Sequence, residues 1–263
     1  MSGSVKGELK RKIKHKAKKL GMNLFGVANV ERWEKYAETD RAYFPQSIWP
    51  WSRTVIVMGA QIFLPMLETT PSVVYSELYN TTNRLLDEAA YRLANFLNQI
   101  GQRAIFFPRD CYGDISVLVK KPEAAFSHVL AGKYAGLGTI ALNHTLLTPE
   151  YGPRVRFVSV ITDADIAPDK VIKENLCSGC RLCEKSCPVG AFGKVGPIAG
   201  KGDMNKNRCA EYHQRLKKEF RYPCGVCTKV CPVGEDRKFY GYSSATKFGV
   251  LHCQDFGSLN AVK

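Results

Sequence analysis

Residues 177–188 read Cys177-Ser178-Gly179-Cys180-Arg181-Leu182-Cys183-Glu184-Lys185-Ser186-Cys187-Pro188. In a Cys-x2-Cys-x2-Cys-x3-Cys-Pro run, three thiolates wrap one iron–sulfur cubane and the fourth reaches a neighbouring cluster. A second, stretched copy follows as Cys209 and then Cys224-x2-Cys227-x3-Cys231-Pro232, and Cys-Pro-Val-Gly stands at both 187–190 and 231–234. The halves form an internal pseudo-repeat. By the crossed rule, cluster one takes Cys177, Cys180, Cys183 and Cys231, and cluster two takes Cys187, Cys209, Cys224 and Cys227. Two [4Fe-4S] clusters are expected. Because each half donates one ligand to the other's cluster, the two must lie close together, which suits electron relay. Gly179 and Gly225 leave room for backbone amides to approach inorganic sulfur, and Pro188 and Pro232 suit the first position of a helix leaving the cluster. A zinc ribbon built from Cys180-x2-Cys183 and Cys224-x2-Cys227 is the alternative, and it leaves the other cysteines of the pattern unexplained.

The rest of the chain sets the context. Cys111 and Cys253 stand outside the pattern and read as packed or free thiols. No signal peptide is legible, so the thiols point to a reducing compartment and a cytoplasmic location is expected. The longest apolar stretch, Thr54 to Leu67, is broken by Gln61 and falls short of the roughly 20 residues of a membrane span. No membrane association is expected. The formal charge is +14, from 38 Lys and Arg against 24 Asp and Glu. Two clusters, each about −2 with its thiolates, leave roughly +10, enough to attract an acidic donor protein or a polyanion at modest salt. Half of the excess sits in residues 1–20, where Leu9, Ile13, Ala17 and Leu20 recur at helical spacing among lysines and Gly21 offers a C-cap. This predicts a docked amphipathic helix whose lysines are a solvated face or a docking surface.

Upstream of the cysteines, helical and extended patterns alternate. Strands are predicted over 23–30, 54–62, 103–107 and 154–163, and helices over 31–38, 72–100 and 123–134. The fold class is therefore α/β, a layered domain over 1–165, followed by a small bacterial-ferredoxin-like double-cluster domain over 166–240 and a tail over 241–263. The polar stretch Asp163 to Lys170 marks the boundary.

The segment Leu130-Ala131-Gly132-Lys133-Tyr134-Ala135-Gly136-Leu137-Gly138, continuing through Asn143-His144-Thr145-Leu146-Leu147-Thr148-Pro149-Glu150-Tyr151-Gly152-Pro153-Arg154, resembles the Ala-Gly-Leu-Gly and Leu-Leu segment of epoxyqueuosine reductases. In that family, as here, it precedes the double-cluster pattern with an isolated cysteine between the runs. The resemblance, extending to reductive dehalogenases, implies a nitroreductase-like cofactor domain with cobalamin held base-off beside a cluster. Carried over by position, Gly136, Gly138, Asn143, Leu146, Arg154 and Phe157 would line the corrin. The family's catalytic acid lies in an Asp-Ser-Ala-Pro-like segment. Here Lys121-Pro122-Glu123-Ala124 stands in that place, so no catalytic acid is assigned. Tyr112, Asp114, Lys121, His128 and Tyr134 are the candidate proton donors nearby. No histidine stands in an Asp-x-His-x-x-Gly corrinoid-ligating motif. The expected function is an iron–sulfur oxidoreductase that takes electrons from a ferredoxin- or flavodoxin-type protein to reduce a small-molecule or RNA-borne substrate. A ferredoxin-type electron-transfer module and tRNA epoxyqueuosine reduction are the alternatives.

Overall fold

The computed structural model describes residues 2–193 and 203–241, so Cys253 and all but the first residue of the expected tail lie outside the described residues. The chain opens with α1 (Ser2–Lys19), β1 (Leu24–Asn29), α2 (Glu31–Tyr36), α3 (Pro45–Ile48) and β2 (Thr54–Gln61). There follow α4 (Leu64–Leu67), α5 (Val73–Gln99), β3 (Ala104–Phe107), α6 (Ile115–Lys120) and α7 (His128–Tyr134). A hairpin of β4 (Thr139–Ile140) and β5 (Leu146–Leu147) then leads into β6 (Val155–Thr162). The cysteine-rich part carries the short helices α8 (Leu182–Lys185), α10 (Val226–Lys229) and α11 (Asp236–Phe239), with the longer α9 (Lys206–Lys218) between them.

The main sheet has the order β1-β2-β6-β3 and is antiparallel at every junction. Strand alternation divides β2 between two cores. Ile56 and Met58 face a layer made by α1 and α5, where Ile13, Ala17, Leu86, Leu93 and Leu97 are buried. Val55 and Val57 face the other side, packed with Trp33 of α2 and with Leu130 and Tyr134 of α7. The body is thus a helix–sheet–helix sandwich, and β2 reads as an unbroken apolar run because both its faces are covered.

The α1 pattern places its stripe as expected, with Ile13 and Ala17 fully buried and Gly21 at φ +81° ending the helix. Helix α5 starts where Ser72 accepts a hydrogen bond from the Tyr75 N–H. The expected helix over 123–134 is shorter: residues 121–127 are irregular, and α7 begins only after Ser127 accepts from the Leu130 N–H. Neither Pro188 nor Pro232 opens a helix, because Gly190 and Gly234 at positive φ turn the chain first. Among the described residues no helix is long and apolar enough to cross a membrane.

Candidate functional site

The cysteine-rich part is fastened to the sandwich through the main chain of its own cysteine loops. Thr70 Oγ1 donates to the Cys224 carbonyl, and Asn143 Nδ2 donates to the Cys227 carbonyl at 3.3 Å. Arg154 Nη1 and Arg237 Nη1 each donate to the Cys231 carbonyl at 3.1 Å. Arg154 also grips the Val233 carbonyl at 2.6 Å and forms a two-pronged ion pair with Asp236, with Nε–Oδ2 at 2.7 Å and Nη2–Oδ1 at 2.6 Å. Both side chains of that pair are 0% exposed.

Electrostatic effects link the thiols in two groups, although among the described residues no three His, Cys, Asp or Glu side chains form a ready metal site. Burial is the main force raising five of the thiols: Cys209 and Cys231 reach about 11, Cys224 reaches about 12, and Cys183 and Cys227 rise as well. Neighbouring thiols add to the rise. Cys183 and Cys231 are both raised by Cys177 and Cys180, whereas Cys224 is raised by Cys187 and Cys209. Cys227 senses Cys224 and Cys209 from its own set and Cys183 from the other, so the sets adjoin. Thiols crowded in this way bind protons until a polycation takes the negative charge of their thiolates, which is the donor chemistry an iron–sulfur cubane requires. Their surroundings differ. Cys180 is exposed at the surface, while Cys187, Cys209, Cys224 and Cys227 all border one cleft between the cysteine-rich part and the sandwich.

That cleft has a volume of about 410 Å³ and shares walls with two further hollows of about 350 and 340 Å³. Together they slightly exceed the range of cofactor and ligand sites, about 300–1,000 Å³. Tyr75, Tyr112, Thr145, Arg156 and Thr228 separate the first hollow from the second, and Pro122, His144 and Lys206 separate it from the third. A cluster of polar groups bridges the two sides of the cleft. Tyr112 Oη lies 2.9 Å from Tyr222 Oη and donates to Asp110 at 3.3 Å. Tyr79 donates to the same carboxylate at 3.2 Å, and Arg156 pairs with it at 2.7 Å while its guanidinium lies over the Tyr79 ring at 4.1 Å. Arg156 Nε is buried and has no hydrogen-bond partner among the described residues. Burial raises the Tyr112 and Tyr222 hydroxyls above the ordinary phenol range, so both are neutral and protonated.

The residues matched to a corrin divide between this cleft and other places. Asn143, Leu146 and Phe157 border the joined hollows. Gly138 does not face them: a Cβ there would stand 1.8 Å from the Leu147 carbonyl oxygen, so its missing side chain lets β4 and β5 close. Gly136, at φ +74°, lies against the Lys170 carbonyl beside a separate hollow under α1. Arg154 points away from the cleft, into the Cys231 loop. Sequence spacing alone cannot separate these roles, because a close approach of backbone to backbone and one of backbone to cofactor both require glycine.

A 4Fe-4S dicluster domain model matches residues 171–235. The tetrachloroethene reductive dehalogenase of Desulfitobacterium hafniense is 31% identical over 230 residues, which are 80% of this chain and 36% of that one. The epoxyqueuosine reductase of Bacillus subtilis is 35% identical over 117 residues, 40% of this chain and 28% of that one. A solved reductive dehalogenase, described in terms of B12-dependent dehalogenation, superposes with a TM-score of 0.67 at 21% identity, covering 89% of this chain and 34% of that one. These likenesses support an epoxyqueuosine reductase/reductive dehalogenase-like family for the chain. It spans about a third of the length of the dehalogenase relatives.

Of the proton donors that the family resemblance left open, Tyr112 borders the first hollow, and Asp114, Lys121, His128 and Tyr134 do not. Tyr134 is fully buried, edge-on to Trp33 at 4.8 Å. Asp114 caps α6 and pairs with Lys217, which holds its carboxyl down to about 2. Lys121 is tied to Glu123 at 3.0 Å. Glu123 itself, in the segment where family members carry the acid, is held below the usual carboxylate range by the Tyr43 hydroxyl and by Lys121. His128 is pushed down to about 4 by burial, and its ring nitrogens are taken up by Ser159 Oγ and the Pro108 carbonyl, each at 2.9 Å. Cys111 lies beside it at 3.3 Å, with its thiol pushed up to about 12 by burial. Tyr112 remains. Its partners Tyr79, Asp110, Arg156 and Tyr222 carried no sequence signal: they are scattered along the chain and belong to no motif.

Proposed function

We propose that this protein is an iron–sulfur reductase with two [4Fe-4S] clusters, held by Cys177, Cys180, Cys183 and Cys231 and by Cys187, Cys209, Cys224 and Cys227, and with a corrinoid bound base-off in the cleft. The observation that carries the reading is that every cysteine of the second set borders the same cleft as Asn143, Phe157 and the Tyr112 cluster, through the joined hollows. The corrinoid would supply redox chemistry at its metal, and Asn143, Leu146 and Phe157 would line it beside the second cysteine set. In the same proposal the sandwich is a nitroreductase-like cofactor domain, and its support is the two-sided antiparallel sheet with a cleft at one edge.

The chain's own residues position, insulate and protonate. Apolar walls keep water from the reducing centre, and Thr70 and Asn143 hold the Cys224 and Cys227 loops against the cleft. Tyr112 Oη is the proton donor to the reduced substrate, and Tyr222 Oη, at 2.9 Å, is placed to return the proton. The Asp110–Arg156 pair orients the cluster of hydroxyls. An acidic ferredoxin- or flavodoxin-type donor meets the exposed side at Cys180, and the net positive charge of the whole chain favours encounter. The substrate is small or RNA-borne.

Two measurements test the proposal. Anaerobically reconstituted protein is expected to hold about eight iron and eight sulfide per chain. Incubation with cob(II)alamin is expected to move its absorption band to shorter wavelength and to change its EPR splitting, as loss of the lower base requires. Eight iron with an unaltered cob(II)alamin spectrum at excess protein would sink the corrinoid and leave an electron-transfer module. Stoichiometric zinc in colourless protein would sink both.

A further inference from the structure

We propose that Arg154, Arg237 and Asp236 form a buried charge set that fixes the reduction potential of cluster one through the Cys231 loop. The inference rests on the two-cluster reading and adds a role for residues that lie away from the cleft. Two guanidinium groups converge on one carbonyl, that of Cys231, each at 3.1 Å. Arg154 is 0% exposed and Arg237 2% exposed, so water screens neither charge well. Asp236, also fully buried, supplies the opposing charge through its pair with Arg154.

Other charges face the set. Glu68 acts on Arg237 from the α4 end, and the Glu68 carbonyl is held by Lys229 Nζ at 2.7 Å. Arg237 Nη1 also reaches the Lys229 carbonyl at 3.5 Å. The proposal therefore concerns the difference each member of the trio makes. Reduction adds one electron to a cluster that is already anionic with its thiolates, so a nearby buried cation favours the reduced state and a nearby carboxylate opposes it. Net charge and hydrogen bonding around the ligands are the levers by which a protein sets such potentials.

The hydrogen bonds show the asymmetry: Arg154 and Arg237 both donate to the carbonyl of Cys231 in the first set, whereas the carbonyls of Cys224 and Cys227 in the second accept from the neutral side chains of Thr70 and Asn143. The trio thus biases one cluster of two that lie close together, and an electron arriving at the exposed Cys180 side settles first on cluster one.

The test is anaerobic EPR redox titration of the reconstituted full chain, with the cluster-one signal identified as the one lost in Cys180→Ala. Asp236→Asn removes the negative member with little change of shape and is expected to raise the cluster-one potential. Arg237→Gln and Arg154→Gln are expected to lower it, each by about three- to tenfold in the one-electron equilibrium, tenfold being about 59 mV. Arg154→Gln/Asp236→Asn, which removes one charge of each sign, is expected to return close to wild type, and the cluster-two potential is expected to move least. If Arg154→Gln fails to fold, the opposite signs of Asp236→Asn and Arg237→Gln still carry the test. Shifts of one sign throughout, or none, with iron content intact, overturn the inference and leave the two-cluster reading standing. Failure of the wild type to load iron overturns both.

Discussion

Gly138→Ala adds one methyl group, and the structure fixes where it would go. The new Cβ would stand 1.8 Å from the Leu147 carbonyl oxygen and 2.7 Å from its carbon, where no Cβ comes within 3.0 Å of another atom, so the backbone must give way by more than 1 Å. Both obstacles are main chain, and no rotamer change relieves them. The hairpin that must open pairs Thr139 with Leu147 and Ile140 with Leu146, and its tip is closed by Ala141 N donating to Thr145 O at 3.0 Å. Overpacking costs about 1–3 kcal/mol and each lost hydrogen bond about 1 kcal/mol, giving roughly 3–5 kcal/mol in all. For a chain of this size that is a fall in Tm of about 6–20 °C. Gly132→Ala is the internal control, because its Cβ would meet the flexible Leu146 Cδ2 at 2.5 Å and a side chain can turn aside. The assay is anaerobic thermal unfolding of reconstituted protein, followed by circular dichroism and by cluster absorbance. Gly138→Ala is expected to lose several times what Gly132→Ala loses and to weaken corrinoid binding, because the hairpin carries Asn143, His144 and Thr145 to the cleft. Equal, small losses in the two variants would refute the reasoning.

Other outcomes follow from single features of the site. Arg154→Met strands the buried Asp236 carboxylate and is expected to cost about 3–5 kcal/mol, while Arg154→Met/Asp236→Leu regains most of it; denaturant titration of the two variants decides. Tyr112→Phe is expected to slow turnover of any substrate the wild type reduces by at least about 100-fold while leaving iron content and corrinoid spectrum unchanged; undiminished turnover removes Tyr112 as the donor. The His128 imidazole is lowered from 6.5 to about 4 by burial, so the unfolded chain binds its proton first as pH falls. Its contribution to stability is whole above about pH 6.5 and lost on descent toward 4, and His128→Asn is expected to flatten the plot of Tm against pH in that window; an unchanged slope counts against it.

The physics explains which of these features a reader of the sequence could find. A cubane needs thiolates at fixed chain spacing, and spacing is a one-dimensional property, so the cysteine pattern of residues 177–231 was legible without coordinates. The α1 stripe of Ile13 and Ala17 and the apolar run of β2 were legible for a similar reason, since burial on one or two faces imposes a period. The start of α7 was less so: residues 123–127 carry enough apolar character for a helix, and the Ser127 cap that shortens it competes with that pattern locally. Folding alone decided the rest. Tyr79, Asp110, Tyr112, Arg156 and Tyr222 meet because α5, the segment after β3, β6 and the segment after α9 converge there, and no chain spacing records such a meeting. Folding likewise separated Arg154 from the cleft and set it against Asp236, 82 positions away. The reason is that a charge buried without water must be matched by whichever opposite charge the tertiary structure delivers to the same place.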